Sequence, residues 1–203
     1  MTSLCQQTAI NVFNIYSTRM VTLLNEGITE DALSIPANVC TQLFGVFQLI
    51  SSIISSFVVR RFRRRQLMIW GQVFISIALF GLAASLEAKS SLMTLLLILF
   101  HASVFSVTIG VVHWIYIPEF LNDVQFGFVC TFHYLNGVEI SIVTEYLFNG
   151  LGLGGTFIFY GLISFAGIFF FIWNLKETDG LTDRQKKQLY WPRKAKQRKV
   201  ETQ

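Results

Sequence analysis

Charged side chains are scarce in this sequence: Asp, Glu, Lys and Arg make up 14% of its 203 residues, where an ordinary soluble domain carries about a quarter. With 53% hydrophobic residues and 20 phenylalanines, the chain is too apolar for a single water-soluble core. Cysteine is also rare. Cys5, Cys40 and Cys130 fall within or beside apolar segments without CxxC or Cys/His spacing, which excludes a disulfide framework and a thiolate metal site and leaves buried thiols. His101, His113 and His133 share no ligand spacing and read as core or lipid-interface residues. No metal cluster, carboxylate pair or Ser–His–acid triad emerges, so neither an enzyme nor a cofactor is expected. The first apolar run lacks a basic leader and a small-residue cleavage site, so no cleavable signal peptide is expected.

What the sequence does have is long uncharged runs. Six stand out: Thr8–Leu24 (interrupted by Asn11, Asn14 and Arg19), Val39–Val59, Gln66–Leu86, Leu92–Ile117, Phe126–Phe148 and Gly155–Leu175. A ~30 Å hydrocarbon layer requires about 17 to 25 helical residues, because every backbone N–H and C=O must pair within the segment. The spacers are short. "NGLGLGG" is only superficially a phosphate loop, with no lysine after it and no strand before it, and reads as a tight interhelical turn. The expectation is an all-α membrane protein, with a six-helix bundle over residues 1–178 and a basic polar tail over 179–203.

The run "RRFRRR" at 60–65 has a membrane explanation. Six spans place both termini, this loop and the fourth-to-fifth loop on one side. The tail adds Lys176, Arg184, Lys186, Lys187, Arg193 and further bases, while the opposite side carries Glu26, Glu30 and Asp31. Such a bias marks the cytoplasmic, or mitochondrial matrix, side. Nucleic-acid binding would need basic residues interleaved with stacking aromatics on a soluble surface, and it is excluded.

Four segments carry a resemblance. "CQQTAINVFNIYST" is similar to the pattern QQxSGxNxxxYYS, and "VVRRFRRRQL" to a D/E-R-x-G-R-R loop. "HWIYIPEF" is similar to P-W-x-x-x-x-E, and the closing "NLKETDGLT" to PETKG[LR]T. In this order and spacing they resemble the C-terminal six-helix half of a sugar porter of the major facilitator superfamily, of the facilitative hexose-transporter kind. The resemblance implies two bundles rocking about a shared site. Met1 stands directly before the seventh-helix motif, so the first bundle is expected to be missing. By resemblance Gln6, Asn11, Gln48, Trp114 and Asn136 are the substrate-binding positions, and amides and an indole suit hydroxyls and a sugar's apolar face.

The departures carry information as well. Cys5 replaces a glutamine, Ser106 stands where a glutamate is common, and the paired prolines of the tenth helix give way to "TIGVVH". Without proline that helix is expected to run unbroken. The loop charges are rewritten: Arg60 replaces an acid, Arg63 a glycine, Phe126 an arginine and Lys176 a proline, while Arg61, Arg64, Arg65, Glu119 and Glu177 remain. The family uses such charges as a latch between halves; anchoring by the positive-inside rule is the alternative.

Within the spans, Thr41, Gly45, Gln48, Ser52 and Ser55 form a small, polar stripe, read as a helix-packing seam with a cavity-lining face as the alternative. Arg19 and Glu139 fall at similar depth on neighbouring helices and are expected to pair, the competing reading of Glu139 being a proton-coupling acid. Together these features favour a non-transporting accessory subunit of a larger membrane complex. Partner subunits would cover the first, second, fourth and fifth helices, and anionic lipid would meet the basic tail. The alternative is half of a hexose transporter, completed by a separate half or by dimerisation. The accessory reading suggests the mitochondrial inner membrane.

Overall fold

In a computed structural model of the chain, the described residues are 1–16, 37–182 and 185–186. Helix α1 spans Thr2–Gln6, and residues 10–16 begin α2. They are followed by α3 (Ala37–Arg61), α4 (Arg64–Glu87), α5 (Ser91–Val107), α6 (Ile109–Tyr116), a 3-10 turn (Ile117–Glu119) and α7 (Asp123–Asn174). Among the described residues there is no strand.

Length and apolarity make four of these stretches able to cross a membrane: Val39–Arg61, Arg64–Glu87, Leu92–Glu119 and Asp123–Asn174. The last is two crossings. Gly152 has φ 71° and ψ −179°, a backbone conformation open to glycine and few other residues, and the chain doubles back there. Thr144 and Tyr160, equidistant from Gly152, meet hydroxyl to hydroxyl at 2.7 Å across this hairpin. The "NGLGLGG" turn is therefore where the sequence puts it, made by one residue.

Other ends follow local chemistry. Asn122 and Gln125 form a reciprocal capping box at the start of α7, satisfying N–H groups the helix cannot. The α4–α5 turn uses Lys89 at φ 52° and is held by Ser85 and Thr94, whose hydroxyls lie 2.9 Å apart.

Two expectations are overturned. The fourth run is not one unbroken helix: Thr108 sits at φ −113°, ψ −88°, between α5 and α6. No proline is needed, because neighbours satisfy the freed groups. Ser55 of α3 donates to the Val107 carbonyl at 3.2 Å, Thr108 bonds back to Val104 at 2.6 Å, and the Thr108 side chain lies directly over Gly71 of α4. The first run, expected from Thr8, is helical from Thr2 and interrupted at Ala9, a non-glycine residue at φ 63°. The Thr8 carbonyl at this break accepts from His101 Nε2 at 2.7 Å.

Phe13 of α2 sits at the centre of the bundle with no exposed surface. Its ring stacks on Phe157 at 5.6 Å, meets His101 at 4.7 Å and reaches Phe44 at 6.5 Å. One side chain thus joins α2, α3, α5 and the second half of α7. Against this core, α3 and the first half of α7 turn large apolar side chains outward, among them Phe57, Val124 and Phe128.

Candidate functional site

A cavity of about 440 Å³ opens between α1, α2, α3, α5, α6 and the first half of α7. Four amide side chains reach it: Gln6, Asn11 and Asn14 from the first two helices and Gln48 from α3. Facing them are Trp114 and His113 of α6 and His133 and Tyr134 of α7, with Ile10, Ile109 and Val138 between. Among the described residues, every lining side chain is uncharged or a histidine. Such a surface offers donors and acceptors in pairs beside flat ring faces.

The amides are ordered by one another. Asn11 Nδ2 donates to Gln6 Oε1, and Gln6 Nε2 donates to the His133 carbonyl at 3.0 Å. Gly137 packs beside these two amides: a Cβ there would lie in ordinary contact, 3.7 Å from both amide nitrogens. The break at Ala9 swings Asn11 into the cavity while Gln6 stays on the preceding helix.

The aromatic wall is a cluster. His133 packs against Trp114 at 4.9 Å and stacks on His113 at 5.3 Å, and Trp114 meets Phe126 at 6.4 Å. Cys5 Sγ lies 3.2 Å from His113 Nδ1, while His113 Nε2 and His133 Nδ1 are buried without a partner. Among the described residues no group of three or more His, Cys, Asp or Glu is placed to hold a metal.

Of the five positions named by resemblance, Gln6, Asn11, Gln48 and Trp114 converge on the cavity. Asn136 does not: it is buried and bonds back to the Phe132 carbonyl at 2.8 Å, while its neighbour Gly137 lines the wall. Sequence reasoning missed Cys5, Asn14, His113 and His133 as cavity residues. His133, Gly137 and Ser141 lie one helical turn apart on α7, and this i, i+4 row was the available signal. His101 is the core histidine that the sequence suggests. Cys5 and Cys40 are buried as expected, whereas Cys130 is half-buried.

The polar stripe of α3 serves more than one purpose. Ser55 is buried against α5, but Gly45 has open space around it and Ser52 is exposed, its hydroxyl turned back to the Gln48 carbonyl. Thr41 is half-buried on the same face. Glu139 is exposed on α7; its expected partner Arg19 lies outside the described residues.

At the arginine-loop end, Glu119 Oε1 takes both Arg64 and, at 2.8 Å, Lys186. Arg65 donates to the Ile172 carbonyl at 2.9 Å, and Glu177 accepts from the backbone N–H groups of Thr178 and Asp179. Tyr116 donates to the Lys176 carbonyl at 2.7 Å. These groups tie the loop, α6 and the closing segment together within one chain. Arg60, Arg61 and Arg63 point outward and exposed.

Comparison with known proteins agrees with this architecture. Residues 1–190 match the model of the family described as "Sugar (and other) transporter". The chain is 24% identical over 184 residues to the probable metabolite transport protein CsbC of Bacillus subtilis, covering 86% of this chain and 39% of that protein. It is 29% identical over 174 residues to the facilitated trehalose transporter Tret1 of Drosophila yakuba, covering 76% and 20%. Among solved structures it resembles the xylose transporter XylE from E. coli in a partially occluded inward-open conformation, with TM-score 0.75, 22% identity and 90% and 39% of the two chains covered. A double-tryptophan mutant of XylE gives TM-score 0.80 at 23% identity, covering 94% and 42%. The chain thus spans about two fifths of these structures and 39% or less of the curated relatives cited.

Proposed function

The chain belongs to the sugar (and other) transporter family, and from that premise we propose that it supplies one wall of a binding cavity for an uncharged sugar. A second six-helix bundle closes the cavity, and substrate crosses as the two bundles rock. The observation that carries this reading is the convergence of Gln6, Asn11, Asn14 and Gln48 on Trp114 in a cavity with no carboxylate, lysine or arginine among its described lining residues. Amides can donate to and accept from the same hydroxyl-rich solute, and the indole covers its C–H face. By the lysine and arginine bias, the end bearing the arginine loop faces the cytoplasm or a mitochondrial matrix.

Uptake of labelled monosaccharide into vesicles containing this chain and its native companions tests the proposal. Saturable uptake that falls at least about ten-fold in Gln48→Ala and Trp114→Ala is the expected result. Uptake indifferent to both changes would refute the site.

A second reading, an accessory subunit that transports nothing, has one observation in its favour. Asn11 and Gln6 spend part of their hydrogen-bonding capacity on each other and on the His133 carbonyl, which leaves less for a ligand. Isolation with native partners separates the two readings: a companion six-helix bundle supports transport, and a multi-subunit enzyme without one supports the accessory role.

A further inference from the structure

α3 and α4 each pack on α5 but, beyond the loop joining them, make little contact with one another. The strip of α5 between them therefore stays open, with Met93, Leu96 and Phe100 exposed. On the α4 side Trp70 and Phe74 form a short aromatic ladder, their rings 6.2 Å apart, and Phe74 meets Phe100 edge-on at 6.5 Å. On α3, Ile54 lies away from the Gln48 and Ser52 side by helical spacing and is exposed on the side of α3 next to this strip, while Phe57, two residues on from the α5-facing Ser55, turns to the outer surface. The result is an apolar cleft with walls on three sides, running along the bundle from the arginine loop.

The mouth of the cleft is charged. Arg64 is occupied by Glu119 and Arg65 by the Ile172 carbonyl. Arg60, Arg61 and Arg63 are exposed, and among the described residues no carboxylate meets any of them. The loop thus holds three uncompensated guanidinium groups within a few residues. At ~1.5 Å per helical residue, Ile54 lies about 10 Å and Trp70 about 9 Å along the helices from the loop, the depth of the first carbons of an acyl chain whose phosphate sits at the arginines.

We propose that this cleft binds one anionic phospholipid, its acyl chain against Ile54, Trp70, Phe74 and Phe100 and its phosphate held by Arg60, Arg61 and Arg63. A guanidinium matches a phosphate bidentately, and the three together exceed the charge of one phosphate. A lipid with net negative charge is therefore selected over a zwitterionic one with the same chains. An orienting charge alone requires no cleft, and a smooth helix surface offers an acyl chain no walls. The proposal needs only that the bundle lies in a bilayer, so it stands or falls separately from solute transport.

The test uses the full chain reconstituted in phosphatidylcholine vesicles with Trp70 as sole tryptophan, Trp114, Trp173 and Trp191 being changed to Phe. Phosphatidylglycerol or phosphatidylcholine with brominated acyl chains is added as quencher. Phosphatidylglycerol is expected to quench Trp70 at a mole fraction about five-fold or more below that of phosphatidylcholine, since each basic group near the surface contributes about that factor. The preference disappears in Arg60→Gln, Arg61→Gln, Arg63→Gln combined, and survives when the same three become Lys. Equal quenching by the two lipids overturns the proposal, as does a preference that persists in the Gln triple. A reporter with Phe128→Trp as sole tryptophan, exposed on the first half of α7 at a comparable depth, shows no such preference; an equal preference there means general enrichment of anionic lipid and overturns the site.

Discussion

An alanine at Gly71 would drive a methyl group into the break between α5 and α6. Its Cβ would lie 2.2 Å from Thr108 Oγ1, 2.7 Å from Thr108 Cβ and 3.3 Å from Ile109 Cγ1. Favourable carbon contacts begin at about 3.5 Å. Rotating the threonine moves its hydroxyl but not its Cβ, which the backbone fixes, so α4 and α6 must separate by roughly 0.8 Å. Overpacking of this kind costs about 1–3 kcal/mol, and the better helix propensity of alanine offsets about 1 kcal/mol. The net loss reaches about 2 kcal/mol, which lowers the melting temperature of a chain this size by up to about 8 °C. The comparison that isolates the clash is Gly45→Ala on α3, where nothing lies within 4 Å of the added Cβ and only the propensity gain remains. Thermal unfolding of the two variants in detergent should move in opposite directions, and adding Thr108→Gly to Gly71→Ala should recover part of the loss. If Gly71→Ala melts at or above Gly45→Ala, the close approach of α4 to the break is wrong.

Three further outcomes are expected. Ala9→Gly should raise the melting temperature by about 2–4 °C, because a left-handed alanine costs about 1 kcal/mol that glycine avoids; an unchanged or lower value would argue against the break at Ala9. Glu119→Gln should destabilise by roughly 2 kcal/mol, since Arg64 and Lys186 then face each other around a site only 12% exposed at Glu119, and Lys186→Met in the same chain should return part of it in the same melting assay. Phe13→Ala should cost roughly 2 kcal/mol from the cavity term, with little transfer term because lipid is as apolar as the bundle core; chemical denaturation in mixed micelles that shows a loss under about 0.5 kcal/mol would remove Phe13 from the centre of the packing.

The outlines of the helices were legible. The runs Val39–Val59 and Gln66–Leu86 correspond to Ala37–Arg61 and Arg64–Glu87, because a helix in hydrocarbon must be long and uncharged along its own length. Gly152 was legible as a turn within "NGLGLGG" for an equally local reason. Of the five positions that the resemblance names, Gln6, Asn11, Gln48 and Trp114 meet at one cavity. Asn136 lies off that cavity, where one residue's displacement along α7 separates the buried side of the helix from the cavity wall.

The breaks at Ala9 and Thr108 were not legible. Neither lies at a proline or glycine that would mark a break in the sequence. Each depends on a carbonyl partner from a distant part of the chain: His101 for Thr8, and Ser55 for Val107. The same holds for His113 and His133, which share no sequence spacing and come together only because α6 and α7 pack side by side. Sequence alone determined that this chain crosses a membrane repeatedly and, from Val39 onward, where the crossings run, since burial in lipid is a demand each segment meets by its own composition. Tertiary structure alone decided where those crossings bend and which side chains face the cavity, since a backbone group freed in hydrocarbon must find its partner on another helix.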